Sequence, residues 1–280
     1  MIDGTDLLSL STVTRFHIGE TTAKFWTADD IYAAVNAERV RLCRKIIGLN
    51  NGYMEQIVTP TLAATITLPT NCYVVRNVEL YIDGAWMQPR WIKDHDRGQY
   101  QSTGTTFPGA VQFYNNTVVF ENGTGGASSV RIKYARLPSD MIYQTLSSGS
   151  TTTMVLNSGA FLDDAYNDDQ FIVLDGTGIG EVLTASDYVA STKTLTVAAT
   201  ATLDSTTVIS TLLSEPLANW KDLVALGAAL RLLPRNRDDN RAGMLRSDYE
   251  RDLEDMVESL SQRQSEQAQH GNYIPTGDDE

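Results

Sequence analysis

The sequence predicts an α+β protein in which helices from both ends of the chain pack as a helical bundle around a β-rich middle. Amphipathic helix patterns occupy roughly 27–48 and 216–270. Between them lie short runs rich in Thr, Val and Tyr, with a period of two and with turn residues between the runs. Because the helical parts are distant in sequence, the strands between them are predicted to form a small antiparallel region and an inserted all-β domain of sandwich or barrel type.

Changes in pattern divide the chain into predicted regions. Residues 1–26 show no sustained period and are predicted to be an extended arm. Residues 27–142 and 211–262 are predicted to form the helical core with its small antiparallel sheet. Residues 143–210 are the predicted inserted all-β domain, and residues 263–280 a flexible, polar tail.

The first helix has clear boundary signals. Thr27 is a suitable N-cap, Asp30 stands at the capping-box position, and Gly48 is a suitable C-cap. Apolar side chains recur on one face, which Glu38 interrupts; they are Ile31, Val35, Leu42 and Ile46. The opposite face carries Arg41, Arg44 and Lys45, with Arg39 to one side. This basic face is either solvated or a docking surface for an acidic partner or DNA.

The middle of the chain contains the strand patterns. Asp83-Gly84 and Asn115-Asn116 are turn signals between alternating runs of the first β region. The predicted strands of that region are 74–82, 118–120 and 130–134, and those of the inserted domain are 152–156, 171–174, 181–188, 194–197 and 207–210. The Ser, Gly and Thr-rich stretch 146–153 is predicted to be a linker.

The C-terminal part returns to helices. Pro216 stands at a first-turn position after Ser214, and the residues that follow are apolar over a wide face, which predicts a buried helix. Pro234 ends this helix. The last helix has one apolar seam, made by Leu245, Tyr249, Leu253, Met256 and Leu260.

Composition excludes several classes of protein. The net charge of −13 over 280 residues argues against a protein that wraps nucleic acid over its whole surface. Cys43 and Cys72 belong to no metal-binding motif, and we expect two buried thiols. No apolar run approaches the roughly 20 residues that cross a bilayer. We expect a protein that is made and kept in the cytosol, or built into a particle assembled there.

The search for chemistry predicts no catalytic residue, metal site or cofactor, and so no enzyme. His17, His95 and His270 lie far apart in the sequence, and the Asp94-His95-Asp96 run reads as turn-forming. The glycines of 176–180 are interpreted as hairpin glycines, since no helix pattern follows them. The acidic run 163–169 is interpreted as a solvated loop; its alternative is a Ca²⁺ site, although the spacing matches no EF-hand.

Taken together, these elements resemble the head-to-tail adaptor (connector) proteins of tailed bacteriophages. The segments that carry the resemblance are FWTADDIYAAVNAERVRLCRKI, LPTNCYVVRNVELYIDG, SVRIKYARLP, EPLANWKDLVALGAALRLLP and SDYERDLEDM. The segment IVLDGTGIGEVLTASDYVASTKTLTV resembles a β module common in phage virion proteins. The inserted β module departs from the shortest adaptors.

The resemblance implies a virion protein located in the neck. Adaptors of this family assemble as a homo-oligomeric ring of twelve copies under the portal protein and contact tail, nozzle or fibre proteins. Double-stranded DNA passes through the lumen without sequence-specific binding, and no membrane is involved. The residues assigned to ring, portal or lumen contacts are Arg39, Arg41, Arg44, Lys45, Arg231, Arg235, Arg237, Gln264 and Tyr273.

Two other functions remain open at this point. The first is a different structural virion component, a tail, collar or fibre-anchoring protein whose β module binds a fibre or a host glycan. The second is a virion-associated glycan hydrolase that uses a carboxylate pair from the acidic run 163–169.

Overall fold

The computed structural model describes residues 4–20, 25–49, 52–92, 110–121, 124–233 and 240–270. The fold class is α+β: the described residues form four α helices and several antiparallel sheets, one of them curled into a half barrel. The chain divides into two compact units, residues 54–137 and residues 1–53 together with 138–280. This division differs from the predicted one, because the strands of 143–210 belong to the same unit as the helices.

The elements follow one another along the chain in a helix, strand, helix order. The helices are α1 (Leu7–Ile18), α2 (Ala28–Gly48), α3 (Lys221–Leu232) and α4 (Asn240–His270), with a 3-10 helix (Leu217–Trp220) before α3. The strands before residue 138 are β1 (Glu55–Val58), β2 (Thr65–Thr67), β3 (Cys72–Ile82), β4 (Ala85–Met87), β5 (Ala110–Tyr114), β6 (Thr117–Glu121) and β7 (Ser129–Arg136). The later strands are β8 (Tyr143–Gly149), β9 (Thr153–Leu156), β10 (Gln170–Asp175), β11 (Val182–Thr184), β12 (Asp187–Val189), β13 (Thr194–Thr196) and β14 (Val208–Thr211).

The unit of residues 54–137 consists of two antiparallel sheets over one core. The strand orders are β1-β7-β3-β4 and β2-β6-β5. Apolar side chains of both sheets, among them Leu80, Val118 and Ile132, form the shared core. Both predicted turns are present: Asp83-Gly84 joins β3 to β4, and Asn115-Asn116 joins β5 to β6. Asp83 and Asn115 have positive φ, the conformation that Asp and Asn tolerate best after glycine.

The second unit contains a seven-stranded antiparallel sheet in the order β11-β10-β14-β8-β9-β13-β12. The segment predicted as one strand, 181–188, forms two strands, β11 and β12, which lie at opposite edges of that order. A flat sheet of this size would separate its edges by about 29 Å. The three peptide steps from Thr184 to Asp187 span at most about 11 Å. The sheet therefore has to curl until its edges approach one another, around a core that includes Phe171 and Tyr188.

The predicted extended arm, residues 1–26, is wrong, because it contains α1. Asp6 caps this helix by accepting a hydrogen bond from the Ser9 N–H at 3.0 Å. The helix packs on α3, where the Thr14 hydroxyl lies 3.3 Å from the Ala225 carbonyl oxygen. Its buried positions follow helical spacing, but two of the four are polar, which hides the period in the sequence; they are Leu7, Leu10, Ser11 and Thr14.

The predicted linker, residues 146–153, is also wrong. Residues 143–149 form β8, which pairs with β14 on one side and β9 on the other. Leu146 is buried in the core of the sheet, while neighbouring Ser side chains are exposed. The Ser and Thr-rich composition of this segment therefore belongs to the solvent-exposed face of a central strand and does not mark a linker.

The remaining helix boundaries agree with the sequence except at two ends. Gly48 is the last residue of α2 and Leu49 the C-cap, so the predicted C-cap lies one residue too early. Helix α3 is buried over most of its surface, as predicted, and its last residue, Leu232, lies two residues before Pro234. Helix α4 continues to His270, past the predicted start of the tail at residue 263.

Two glycines of the turn between β10 and β11 give a matched pair of variants. Gly176 and Gly180 both have positive φ, at 81° and 86°. A Cβ at Gly176 would lie 2.5 Å from the Thr206 carbonyl oxygen, whereas a Cβ at Gly180 would meet no atom within 4 Å. We expect Gly180→Ala to lower the free energy of unfolding by about 1 kcal/mol and Gly176→Ala by about 1 kcal/mol more. Urea unfolding measures both; equal losses would contradict the contact.

Both cysteines lie in the described part of the chain and are reduced thiols, Cys43 buried and Cys72 half-buried. Burial raises the pKa of the Cys72 thiol to about 11, so this thiol is protonated at neutral pH and a poor nucleophile. Across the helices that the structure describes, none is both long and apolar enough to span a bilayer.

Candidate interaction groove

The position of α2 is set by its first turn. The Thr27 hydroxyl accepts a hydrogen bond from the Asp30 N–H at 3.2 Å, and the Asp30 carboxylate accepts one from the Thr27 N–H at 3.0 Å. This confirms the predicted capping box. With the start fixed, the apolar face of α2 turns inward, and Glu38 lies in the middle of that buried face.

Glu38 connects three helices that come from the two ends of the chain. Its Oε2 accepts a hydrogen bond from Arg231 Nε of α3 at 2.7 Å, and its Oε1 accepts one from the Tyr249 hydroxyl of α4 at 2.5 Å. Arg41 Nη1 lies 3.5 Å from Oε1, and the Arg41 guanidinium stands 5.4 Å from the centroid of the Tyr249 ring. Because Glu38 is 0% exposed, its carboxylate depends on these donors for the solvation that water would otherwise supply.

The electrostatics of this network act on Tyr249. Burial raises the pKa of the Tyr249 phenol, and the hydrogen bond to Glu38 and the charge of its carboxylate raise it further; Arg41 and Arg231 act in the opposite direction. The phenol therefore remains a hydrogen-bond donor throughout the neutral pH range, which is the form that Glu38 requires.

We expect a pH dependence of stability from Tyr249. Its pKa in the folded protein lies above the unfolded value of 10.0, so its contribution is complete below pH 10 and is lost as pH rises beyond it. The free energy of unfolding should fall more steeply above pH 10 in the wild type than in Tyr249→Phe. Urea unfolding at about pH 8, 10 and 11 measures the two slopes. Identical slopes would contradict the expectation.

An open groove lies beside this network, with a volume of about 650 Å³. We call it the arginine groove: its charged lining is Arg41, Arg44, Arg231 and Asp140, and its apolar lining is Ala33, Ala37 and Val40. The α2 residues of this set share one helix face, because they recur at spacings of three and four. Three guanidinium groups line the groove against the Asp140 carboxylate, and the buried Glu38 carboxylate offsets a further charge, since it pairs with Arg41 and Arg231. The remaining net charge is positive, and guanidinium groups bind carboxylates and phosphates in a bidentate geometry, so the groove is suited to anions.

A second set of contacts fixes the segment that carries Asp140. The Asn36 side chain pairs with the backbone of Met141, accepting from its N–H at 2.7 Å and donating to its carbonyl oxygen at 3.1 Å. Arg39 Nη1 donates to the Ser139 carbonyl oxygen at 2.5 Å. The groove is therefore a preformed feature of α2 and this segment.

The burial of Arg39 argues against its predicted role in ring, portal or lumen contacts. Arg39 is 1% exposed in the chain, and its Nε and Nη2 have no hydrogen-bond partner within the described ranges. Helical spacing explains the burial, since position 39 follows Val35 by four residues and precedes Leu42 by three. The Arg39 side chain belongs to the inner face of α2.

The structure brings three of the other predicted contact residues together. The rest lie outside the groove or outside the described residues. Arg41, Arg44 and Arg231 line the arginine groove. Lys45 is exposed on α2 outside that lining. Gln264 lies in α4, but its side chain falls outside the described residues, as do Arg235, Arg237 and Tyr273 entirely.

The acidic run 163–169 forms a series of turns between β9 and β10. Asp163 Oδ1 accepts a hydrogen bond from the Ala190 N–H at 2.7 Å, and Asp164 Oδ1 accepts one from the Asn167 side chain at 2.9 Å. Among the residues with described positions, no group of three or more His, Cys, Asp or Glu side chains is placed to hold a metal ion. The Asp94-His95-Asp96 run lies outside the described residues.

Sequence reasoning missed the residues that organise the groove. Glu38 was visible as a charge on an apolar face, which is the pattern of a buried ion pair. Its partners, Arg231 and Tyr249, lie 193 and 211 residues away, and nothing in the local pattern connects them. Asn36 and Asp140 gave no local signal either.

Comparison with known proteins assigns the chain to no family. No family model matches the chain, and no curated protein has a significantly similar sequence. The function is therefore inferred from the groove, the helices that build it and the resemblance of the sequence elements.

Proposed function

We propose that the protein is a structural virion protein, a head-to-tail adaptor that forms a ring of twelve copies under the portal of a tailed bacteriophage. The ring links the capsid to the tail and lines the conduit for double-stranded DNA. In this proposal the helices form a bundle that is the wall of the ring. The partners are the portal protein on one side and tail, nozzle or fibre proteins on the other.

The observation that carries the proposal is the Glu38 network. It joins α2 from the N-terminal part to α3 and α4 from the C-terminal part. Helices from the two ends of the chain are thus in contact, as the adaptor resemblance implies. A module that needs both ends of the chain suits a scaffold in an assembly.

The distribution of charge supports a closed ring. A cyclic assembly needs two different, complementary surfaces on each subunit. The arginine groove supplies a basic surface, and the exposed carboxylates of Asp163 and Asp164 supply an acidic one. The net charge of −13 suits a DNA conduit, because a strongly attractive lumen would retard passage.

Electron microscopy of the virion tests the proposal most directly. We expect antibody labelling of the full chain to mark the neck, under the portal, and purified portal to retain the protein in a pull-down. A chain truncated after Leu260 should lose portal binding while remaining folded. Label on the capsid or fibres, or a truncated chain that still gives DNA-filled, tailed particles, would refute the corresponding part of the proposal.

An exposed aromatic cluster on the unit of residues 54–137 favours a second candidate, a fibre-anchoring or glycan-binding collar protein. Trp86 is 38% exposed, and Arg131 lies 4.4 Å from its ring centroid. Tyr81 packs beside it at 5.2 Å between centroids. Exposed aromatic rings of this kind bind sugars and proteins alike. Trp86→Ala should abolish binding to fibre protein or glycan if this candidate is right, and leave portal binding unchanged.

A further inference from the structure

Two exposed apolar side chains stand at the tip of a braced loop in the same compact unit as the arginine groove. Phe161 is 99% exposed and Leu162 is 54% exposed. We call residues 160–164 the Phe161 loop; its last two residues, Asp163 and Asp164, are also exposed. The tip therefore presents an aromatic and an aliphatic group followed by two carboxylates.

Hydrogen bonds hold this loop on both sides of Phe161. The Tyr188 hydroxyl donates to the Ala160 carbonyl oxygen at 2.9 Å, and the Asp164 N–H donates to the Tyr188 carbonyl oxygen at 2.9 Å. The Ala190 N–H donates to Asp163 at 2.7 Å. Because Tyr188 is fully buried, the loop is attached to the core, and Phe161 projects from a fixed base. A presented aromatic side chain loses little conformational entropy on binding, which favours its use as an interface anchor.

The arginine groove matches this loop in polarity. Its apolar lining, Ala33, Ala37 and Val40, suits the Phe161 ring, and Arg41, Arg44 and Arg231 suit the carboxylates that follow. Aromatic and arginine side chains are the residues that most often carry binding energy in protein interfaces. The order of groups in the loop, apolar and then acidic, is matched by apolar and basic groups in one groove.

We propose that the Phe161 loop of one copy binds in the arginine groove of a second copy of this chain. The interaction joins two different surfaces, so repetition propagates a head-to-tail assembly, which forms a ring when the rotation from copy to copy closes. The inference deepens the proposed adaptor function and rests on it for the closure into a ring. The contact between copies itself depends on the loop and the groove.

Self-association of the full chain tests this contact. Phe161→Ser should raise the dissociation constant between copies roughly 10- to 100-fold, as loss of a central aromatic anchor does. Arg44→Glu should do the same through the groove. Ile179→Ser and Arg251→Glu are the matched controls, since they change an exposed apolar residue of another turn and an exposed arginine of α4. Analytical ultracentrifugation measures each protein alone, and circular dichroism verifies that each variant is folded.

Mixing the two variants tests the pairing of loop with groove. Phe161→Ser retains an intact groove and Arg44→Glu an intact loop, so an equimolar mixture should form a heterodimer that neither variant forms alone. A mixture that remains monomeric would overturn the inference, and so would a wild type that remains monomeric at its highest soluble concentration. Assembly that is lost with Arg44→Glu but kept with Phe161→Ser would also overturn it and assign the groove to another anion, such as the α4 carboxylates or DNA phosphate.

The outcome separates this contact from the adaptor function. Antibody labelling of wild-type virions locates the protein whether or not the loop binds the groove. Label outside the neck, together with self-association that depends on Phe161, would refute the adaptor and support the contact. Label in the neck with unchanged assembly of Phe161→Ser would overturn the contact alone.

Discussion

Replacing Glu38 by alanine is expected to lower the free energy of unfolding of the helical part by about 3 kcal/mol. The change removes the acceptor of the Tyr249 hydroxyl and the carboxylate that pairs with Arg231. The phenol oxygen is then buried without that partner, while Arg231, whose side chain is 39% exposed, can regain water. Hydrogen exchange of the α2 and α3 amides measures the loss.

Two further variants apportion this effect. Glu38→Gln keeps an acceptor for Tyr249 but removes the charge, so its loss should be roughly half as large. Tyr249→Phe removes the hydroxyl alone and should cost about 1 kcal/mol. Because the two residues are in contact, the double variant Glu38→Ala with Tyr249→Phe should lose less than the sum of the single losses. Strict additivity would show that the hydrogen bond contributes nothing.

The sequence was sufficient for those elements whose signals are local. The capping box at Thr27 and Asp30 and the turns at Asp83-Gly84 and Asn115-Asn116 depend on backbone preferences of a few adjacent residues, and all three are confirmed. The buried character of α3 followed from its apolar width. The α+β class follows from these local elements taken together.

The errors arose where Ser and Thr occupy regular structure. In α1, buried Ser11 and Thr14 satisfy their hydroxyls within the helix, donating to the carbonyl oxygens of Leu8 and Leu10. In β8, the polar side chains lie on the solvent face of a strand held by two neighbours. Composition alone predicts a loop for both segments, because hydroxyl side chains compete with backbone hydrogen bonds in short peptides. Tertiary contacts decide the outcome in each case.

No local pattern in the sequence predicts the arginine groove. The sequence singled out Arg41, Arg44 and Arg231 separately, as charges on two helices. Their convergence depends on how closely α2 approaches α3, and this approach depends on one residue without a side chain, Gly227. Arg39, which the sequence analysis places beside the basic face, is buried on the inner side of α2.

Gly227→Ala is expected to lower the free energy of unfolding by about 2–3 kcal/mol. Alanine is the better helix former by about 1 kcal/mol, so local propensity alone predicts the opposite sign. However, a Cβ at this position would lie 2.5 Å from Glu38 Cγ and 2.7 Å from its Oε1. Glu38 cannot move away cheaply, because Arg231 and Tyr249 hold its carboxylate. The steric cost therefore exceeds the gain in propensity.

Two controls isolate this contact. Gly243 lies in α4, where an added Cβ would meet no atom within 4 Å, so Gly243→Ala should raise stability by up to about 1 kcal/mol. In the background of Glu38→Ala the obstructing side chain is absent, and Gly227→Ala should there become neutral or stabilising. This change of sign, followed by hydrogen exchange of the α3 amides, distinguishes a clash with Glu38 from a general intolerance of side chains at position 227. If Gly227→Ala destabilises both backgrounds equally, the close approach of α2 and α3 is not set by Glu38.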